Sequence, residues 1–200
     1  MKAIFVRHGE STGNIDIPCD NHTLSELTKK GQQQALNLAR SWTEEPSLIV
    51  TSTFLRAQQT AQPTIARYPN APVEIWEIQE FTYLEPSRWK GTSRDIRLPH
   101  IRSYWKRANP YFCDGPGAES FDKLLERADG TIKRLRGMPD KAIVYLFSHG
   151  QFMRAVSLIV SPPSPDADEM DYFWKQCSDC PIGNCDCLVV EFEEFKASLG

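Results

Sequence analysis

The sequence has no long hydrophobic run, and this lack argues against several classes of protein. Its longest obvious apolar stretch, residues 142–147, is far shorter than the roughly 20 residues that a membrane-spanning helix needs. The apolar stretch before Arg7 is also shorter than the core of a signal peptide, which takes about 7–15 residues. We therefore expect a cytoplasmic protein that has no membrane partner.

The sequence also lacks an excess of either charge. Its 23 Lys and Arg residues oppose 26 Asp and Glu residues, for a net charge of −3, so the composition gives no case for a nucleic-acid partner. It has no internal repeat and no long low-complexity linker. A chain of 200 residues with 40% hydrophobic residues fits one domain with its own core, over residues 1–200. The oligomeric state stays open, a dimer included.

Four of the six cysteines, by contrast, form a cluster with the spacing C-x2-C-x4-C-x-C, at Cys177, Cys180, Cys185 and Cys187. Four thiolates can hold zinc, and paired thiols can form disulfides. The last pair, however, leads directly into the apolar residues 188–190, which are typical of a strand. We favour reduced structural thiols, and we predict neither a metal site nor a cofactor.

The rest of the chain alternates short strands with helices. Apolar runs predict strands at 2–6, 48–51, 73–76, 142–147 and 188–192. Helical periodicity predicts helices at about 28–42, 55–66, 120–135 and 151–160, with Thr28 as an N-cap and an early end or kink at Pro63. This alternation predicts an α/β three-layer sandwich, in which helices flank a mostly parallel central sheet.

Residues suited to phosphate chemistry follow three of the predicted strands. Arg7 and His8 come directly after the first strand, Arg56 follows the second, and His149 follows the apolar run 142–147. Because ligands bind at the carboxyl ends of parallel strands, we expect these side chains to meet at one edge of the sheet. Arginine binds phosphate oxygens bidentately, and a neutral histidine can attack phosphorus. The sequence therefore predicts a phosphate pocket.

Five motifs in this order resemble those of the histidine phosphatase superfamily, in its phosphoglycerate-mutase-like branch. They are Arg7-His8-Gly9-Glu10-Ser11 with Asn14, Leu27-Thr28-Lys29-Lys30-Gly31, Leu55-Arg56-Ala57 with Gln59-Thr60-Ala61, Gly117-Ala118-Glu119-Ser120, and Ser148-His149-Gly150. Each motif alone is weak evidence, whereas five in the right order and context are strong. The resemblance implies the phosphoglycerate-mutase-like sandwich fold and metal-independent chemistry.

The resemblance also implies roles for individual residues. His8 is then the nucleophile that becomes phosphohistidine. Arg7, Arg56 and His149 bind the three non-bridging oxygens of the phosphoryl group, since catalysis of phosphoryl transfer is mostly positioning and charge stabilisation. Asn14 either helps at the rim of this pocket or only stabilises its own loop.

The reaction also needs a general acid for the leaving alkoxide, which later serves as the base for water. The family commonly places its acid just after the region of the third predicted strand, and Glu80 is the best candidate there. Glu77, Glu85 and Glu119 are competitors. The sequence departs from the family in this loop, because many members have a glycine soon after the acid and this chain has residues 81–84 (Phe-Thr-Tyr-Leu).

Substrate specificity is expected in residues 81–117, which look like an insertion over the sheet. Seven bases between Arg88 and Arg107 face only one acid, Asp95. Such a patch could bind a second anionic group of the substrate, contact an acidic protein, or be a solvated surface. We include Arg88 and Ser11 among the predicted substrate-binding residues, although Ser11 could instead only donate a hydrogen bond near the pocket.

These observations predict a phosphoric monoester hydrolase that acts on small phosphorylated metabolites through a phosphohistidine on His8. One alternative is a phosphoglycerate-type mutase, which must exclude water and usually needs longer enclosing loops than this chain offers. A second alternative is a phosphate-binding or protein-interaction module without catalysis. That alternative predicts the loss of a key residue, and Arg7, Arg56 and His149 are all present beside His8.

Overall fold

The computed structural model describes residues 1–15, 17, 20–164, 166 and 168–192, so Cys19 lies outside the description. Within these residues, five strands form one sheet in the order β3-β2-β4-β1-β5. The strands are β1 (Lys2–Arg7), β2 (Leu48–Ser52), β3 (Val73–Trp76), β4 (Ile143–Ser148) and β5 (Cys187–Glu191). The first four run parallel to their neighbours, and β5 pairs antiparallel with β1. The five predicted strands and the mostly parallel sheet are therefore confirmed.

Helices cover both faces of this sheet. They are α1 (Lys29–Ser41), α2 (Leu55–Arg67), α3 (Arg94–Lys106), α4 (Phe121–Arg136), α5 (Gly150–Val160) and α6 (Glu169–Asp179). Successive residues of a strand point to opposite faces. Accordingly, Ala3 and Phe5 of β1 pack in a core cluster with residues of α4, α5 and α6, whereas Ile4 and Val6 pack in a second cluster with a residue of α2. This arrangement confirms the three-layer sandwich.

Some helices differ from the prediction. The end or kink expected at Pro63 does not shorten α2, which continues to Arg67, because the buried Ala61 and Thr64 hold the helix against its surroundings despite the missing N–H. Helices α3 and α6 were not predicted. Residues 94–106 have weak apolar periodicity and contain Pro99, so their pattern does not indicate a helix. Thr28, by contrast, caps α1 as predicted by accepting a hydrogen bond from Gly31 N at 3.1 Å.

The clustered cysteines are free thiols, as is Cys113. Burial raises the pKa of Cys177 and of Cys185 to about 12, and it raises the pKa of Cys187 to about 11, so these sulfurs stay protonated at neutral pH. In the described part of the chain, no group of three or more His, Cys, Asp or Glu side chains is placed to hold a metal ion. None of the described helices combines the length and the apolar character that crossing a bilayer requires.

Candidate active site

The adjacent ends of β1 and β4 bring two of the predicted residues together. Arg7 is in register with Ser148, and the hydrogen bonding continues one residue further, where His8 N donates to Ser148 O at 3.0 Å. The next residue after β4 is His149, and its ring lies 5.1 Å from the ring of His8, between centroids. Arg56, in the first turn of α2, reaches the same place from the neighbouring strand end. We call Arg7, His8, Arg56 and His149 the cationic floor.

The ring of His8 is held in one orientation and in one protonation state. Its Nδ1 lies 2.7 Å from Gly9 O, and its Nε2 lies 3.0 Å from Arg56 Nε. Since the carbonyl can only accept and the guanidinium can only donate, Nδ1 carries the proton and Nε2 presents its lone pair. Burial and the charge of Arg56 hold the pKa of His8 well below its usual value. The ring is therefore a neutral base whose lone pair is available at neutral pH.

His149 is fully buried behind His8 and does not line the cavity wall. Its Nε2 lies 2.9 Å from Ser52 Oγ, and Nδ1 has no hydrogen-bond partner within the described residues. Burial, followed by the charge of Arg56, keeps the pKa of His149 well below its usual value. The structure therefore brings His149 to the cationic floor, but one layer deeper than the three other members.

The loop that carries His8 packs directly on helix α1, and glycines make this contact possible. A Cβ atom on Gly9 would lie 2.6 Å from Gly31 O, and one on Gly31 would lie 2.0 Å from Glu10 O. Such distances leave no room for any side chain. Helix α2 adds a further contact, because Gly9 N donates to Thr60 Oγ1 at 3.0 Å. The second and third sequence motifs thus serve to position the first.

A loop of the C-terminal part, residues 182–186, holds the same motif from the other side. Arg7 N donates to Asp186 O at 3.0 Å, and Cys185 N donates to Arg7 O at 2.9 Å. The guanidinium of Arg7 also bonds to Ile182 O. Asn184 Nδ2 donates to His8 O at 2.9 Å and to Asn14 Oδ1 at 3.3 Å. Asn184 is a residue that the sequence analysis missed, because a Gly-Asn pair in a loop signals only a turn.

Ser11 and Asn14 both line the cavity above the cationic floor, as predicted for residues at its rim. Asn14 Oδ1 accepts from Ser11 N at 3.0 Å and from Ser11 Oγ at 3.1 Å. These bonds stabilise the loop between the two residues, which is the second of the two roles considered for Asn14. Its position on the cavity wall also leaves it within reach of a ligand that enters this cavity.

This cavity, which we call the main cavity, has a volume of about 420 Å³, and Glu80 is part of its wall. Glu80 Oε1 accepts from Gln151 N at 3.0 Å and from Phe81 N at 3.1 Å, so two backbone amides orient the carboxylate. The competing carboxylates lie elsewhere. Glu85 pairs with Arg88, Glu119 pairs with Arg127, and Glu77 is exposed outside the main cavity. The geometry therefore favours Glu80 among the four candidates.

The structure does not bring Arg88 to the main cavity. This exposed side chain forms ion pairs with Glu85 at 2.6 Å and with Asp114 at 3.1 Å, and both partners belong to its own surface region. Other bases of the segment do line the cavity, namely Lys90, Arg94 and Arg97. The count of bases predicted a cationic wall, but it did not distinguish the residues that face the cavity from those that pair on the surface.

His22 also lines the main cavity, although no sequence motif indicated it. Its carbonyl accepts from Arg56 Nη1 at 2.8 Å, and its ring Nε2 lies 3.3 Å from Thr82 Oγ1. Burial and the charges of Arg56 and Arg97 lower the pKa of His22. No described strand ends directly before this histidine, so the rule that ligands bind at strand ends does not predict it.

A neutral imidazole beside two guanidiniums, with a carboxylate across the cavity, defines a site for phosphoryl chemistry. The chain belongs to the histidine phosphatase superfamily (branch 1), whose family model matches residues 3–197. This match confirms the resemblance inferred from the five motifs.

Particular relatives are named as phosphatases and as mutase-like proteins. A metal-independent phosphoserine phosphatase from Arabidopsis thaliana is 28% identical over 168 residues, which cover 80% of this chain and 69% of the relative. Phosphoglycerate mutase-like protein 4 from the same plant is 25% identical over 164 residues, which cover 76% of this chain and 68% of the relative. The solved alpha-ribazole phosphatase from Shigella flexneri shares the fold, with a TM-score of 0.75 and 21% identity over 97% of this chain and 92% of that one.

Proposed function

We propose that this protein is a cytoplasmic phosphatase that hydrolyses phosphomonoesters of small metabolites through a phosphohistidine on His8. The proposal rests mainly on the state of the His8 ring. This ring is neutral, its Nδ1 proton is bound to Gly9 O, and its Nε2 lone pair faces Arg56. A nucleophile of this kind needs a fixed tautomer and a lone pair aimed at the electrophile. The names of the relatives support phosphatase chemistry in general.

In the first step, His8 Nε2 attacks phosphorus and the bond from phosphorus to the alcohol oxygen breaks. Arg7 and Arg56 bind the non-bridging oxygens, and the phosphoryl group takes over the hydrogen bond that Arg56 Nε makes to His8. We assign the third oxygen to His149, whose Nδ1 has no hydrogen-bond partner among the described residues. Their fixed dipoles and charges stabilise the negative charge that spreads over the phosphoryl group.

Glu80 supplies the proton that the departing alkoxide needs, and it then takes a proton from the water that attacks phosphohistidine. The bond between His8 Nε2 and phosphorus breaks in this second step, which releases inorganic phosphate and the neutral histidine. Two backbone amides bind Glu80 Oε1. They hold the carboxylate at one place for both proton transfers.

We favour hydrolysis over the mutase reaction because water can reach the mouth of the main cavity. Ile17, which lines this cavity, is 49% exposed, and no described segment covers it. A mutase must keep water away from its phosphoenzyme. Screening phosphorylated metabolites for released inorganic phosphate, and separately for an isomerised product, distinguishes the two reactions.

The direct test is to trap the phosphoenzyme. Rapid quenching during turnover of p-nitrophenyl phosphate should give a protein-bound phosphate that is stable in alkali and labile in acid, as expected of phosphohistidine. His8→Ala should abolish both the trapped phosphate and turnover, because it removes the Nε2 lone pair that faces Arg56. The exposed His100 provides the matched control, since His100→Ala should leave both signals intact. Wild-type turnover without any trapped phosphate, or full activity in His8→Ala, contradicts the proposal.

A further inference from the structure

A second cavity of about 670 Å³ adjoins the main cavity, and we call it the side chamber. The two cavities share part of their walls, including Glu80 and Tyr83. The other walls come from three helices, with Arg102 from α3, Arg154 from α5 and Trp174 from α6. The side chamber has room for a group attached to a phosphate that is bound at the cationic floor.

The walls of the side chamber carry a strong excess of positive charge. Four arginines line it, namely Arg7, Arg94, Arg102 and Arg154. Among its described lining residues, Glu80 is the one carboxylate. It lies where the two cavities join, and the proposed function assigns proton transfer to it. The whole chain has a net charge of −3, so this concentration of arginines is local. Such a cavity attracts anions and disfavours neutral or cationic groups.

Two of these arginines have donors that the described protein does not use. Arg102 is exposed, and no ion pair or hydrogen bond engages it anywhere in the described part of the chain. Arg154 donates one Nη atom to Cys180 O, while its Nε is buried without a partner. A buried donor without a partner is costly, and an oxyanion would satisfy it. Arg88, from the same basic segment as Arg102, is instead neutralised by two carboxylates.

A third cavity also touches Glu80, but its charge is different. Its walls include Glu119 and Lys123 and contain no arginine among the described residues that line it. Out of the main cavity, an alcohol that leaves from the phosphate at Glu80 can therefore extend in two directions, and arginines line only one of them. The charge distribution directs an anionic leaving group into the side chamber.

We propose that the side chamber binds a carboxylate or a second phosphate on the alcohol part of the substrate, with Arg102 and Arg154 as its ligands. The inference rests on the proposed function, because it takes the scissile phosphate to lie at the cationic floor. Glu80 stands on the wall shared by the two cavities, so the ester oxygen that it protonates lies at their junction. The substrate class is then a phosphomonoester with a second anionic group, rather than a neutral sugar phosphate or a phosphorylated amine.

The test compares two compounds that differ in one group. In 3-phosphoglycerate a carboxylate replaces the hydroxymethyl group of sn-glycerol 3-phosphate, and the phosphate ester is the same. We measure Ki for each compound against hydrolysis of p-nitrophenyl phosphate. The wild type should bind the carboxylate at least about tenfold more tightly, which corresponds to about 1.4 kcal/mol. Arg102→Gln should reduce this ratio to about twofold, and Arg154→Gln should also reduce it.

Lys106→Gln is the matched control, because Lys106 is an exposed base at the end of the same helix and lines neither cavity. It should keep the wild-type ratio. Equal Ki values in the wild type, or a ratio that Arg102→Gln leaves unchanged, overturn the inference while the phosphatase proposal stands. If the wild type does not hydrolyse p-nitrophenyl phosphate at all, the proposed function fails instead. Calorimetric titration with the same two compounds then still measures the preference for the carboxylate.

Discussion

The cationic floor and the side chamber both carry arginines, but they hold them in different ways. On the floor, Arg56 is buried, and hydrogen bonds to His8 and to His22 O fix its guanidinium. In the side chamber, Arg102 is exposed at the surface of α3, and no described group orients it. A preorganised charge stabilises a transition state, whereas a mobile exposed charge mainly selects what binds. We therefore expect Arg56 to act in the chemistry and Arg102 to act in substrate selection.

The largest expected loss of activity comes from a substitution in the cationic floor. Arg56→Lys keeps the charge but removes the planar fork that contacts His8 Nε2 and His22 O together. We expect kcat to fall by about 100- to 1,000-fold, as when one donor of an oxyanion site is lost. Steady-state kinetics should show a similar loss for every phosphomonoester, in contrast to the substrate-dependent effect of Arg102→Gln.

The control for this substitution is Arg134→Lys, which changes an exposed arginine of α4 that pairs with Glu74. It should retain wild-type kcat. A loss in Arg56→Lys that appears only with doubly anionic substrates would contradict the division between the two regions, because Arg56 would then act in specificity.

A smaller effect, and one that depends on the leaving group, is expected at the junction of the two regions. Glu80→Gln keeps the shape of the side chain but removes its ability to donate and accept a proton. The kcat/KM for an alkyl phosphate should fall by about 100-fold, whereas p-nitrophenyl phosphate should lose less than about tenfold, since p-nitrophenolate needs little protonation. The exposed Glu77 gives the control variant Glu77→Gln. Equal losses for both substrates would show that Glu80 is not the acid.

The smallest effect concerns stability. It comes mainly from the two histidines of the cationic floor, and the lowered pKa of His22 adds to it. Burial holds the pKa of His8 and of His149 below the ordinary value of 6.5. Below about pH 6.5 the unfolded chain therefore binds protons that the folded protein does not, so stability falls as the pH drops from there towards the lowered pKa values. Each histidine contributes a slope of about 1.4 kcal/mol per pH unit in this window.

Urea unfolding between pH 7 and pH 5 measures this slope. His8→Gln should remove the contribution of one proton and leave that of His149. A free energy of unfolding that stays constant across the window in the wild type would show that the folded floor takes up protons as readily as the unfolded chain. Arg102→Gln should not alter the slope, since its side chain lies outside the floor.

Much of the fold and the centre of the site could be predicted from the sequence because the relevant signals are local. The apolar runs 2–6, 48–51 and 142–147 are buried strands here, and a residue that directly follows a strand must lie at the edge of the sheet. Arg7, His8 and His149 were found by this rule. Pro63 shows the limit of such local signals, because the packing of α2 overrides the local preference of proline.

What the sequence by itself determined is the sandwich fold, the superfamily and the four residues that meet at the cationic floor. Only the tertiary structure decided that His149 lies beneath the cavity, that Asn184 braces the nucleophile loop from 176 residues away, and that Arg102 and Arg154 share one chamber while Arg88 does not. The physical reason is the range of the interactions. A motif reports contacts between neighbours along the chain, whereas a cavity is formed by side chains that meet only after the helices have packed.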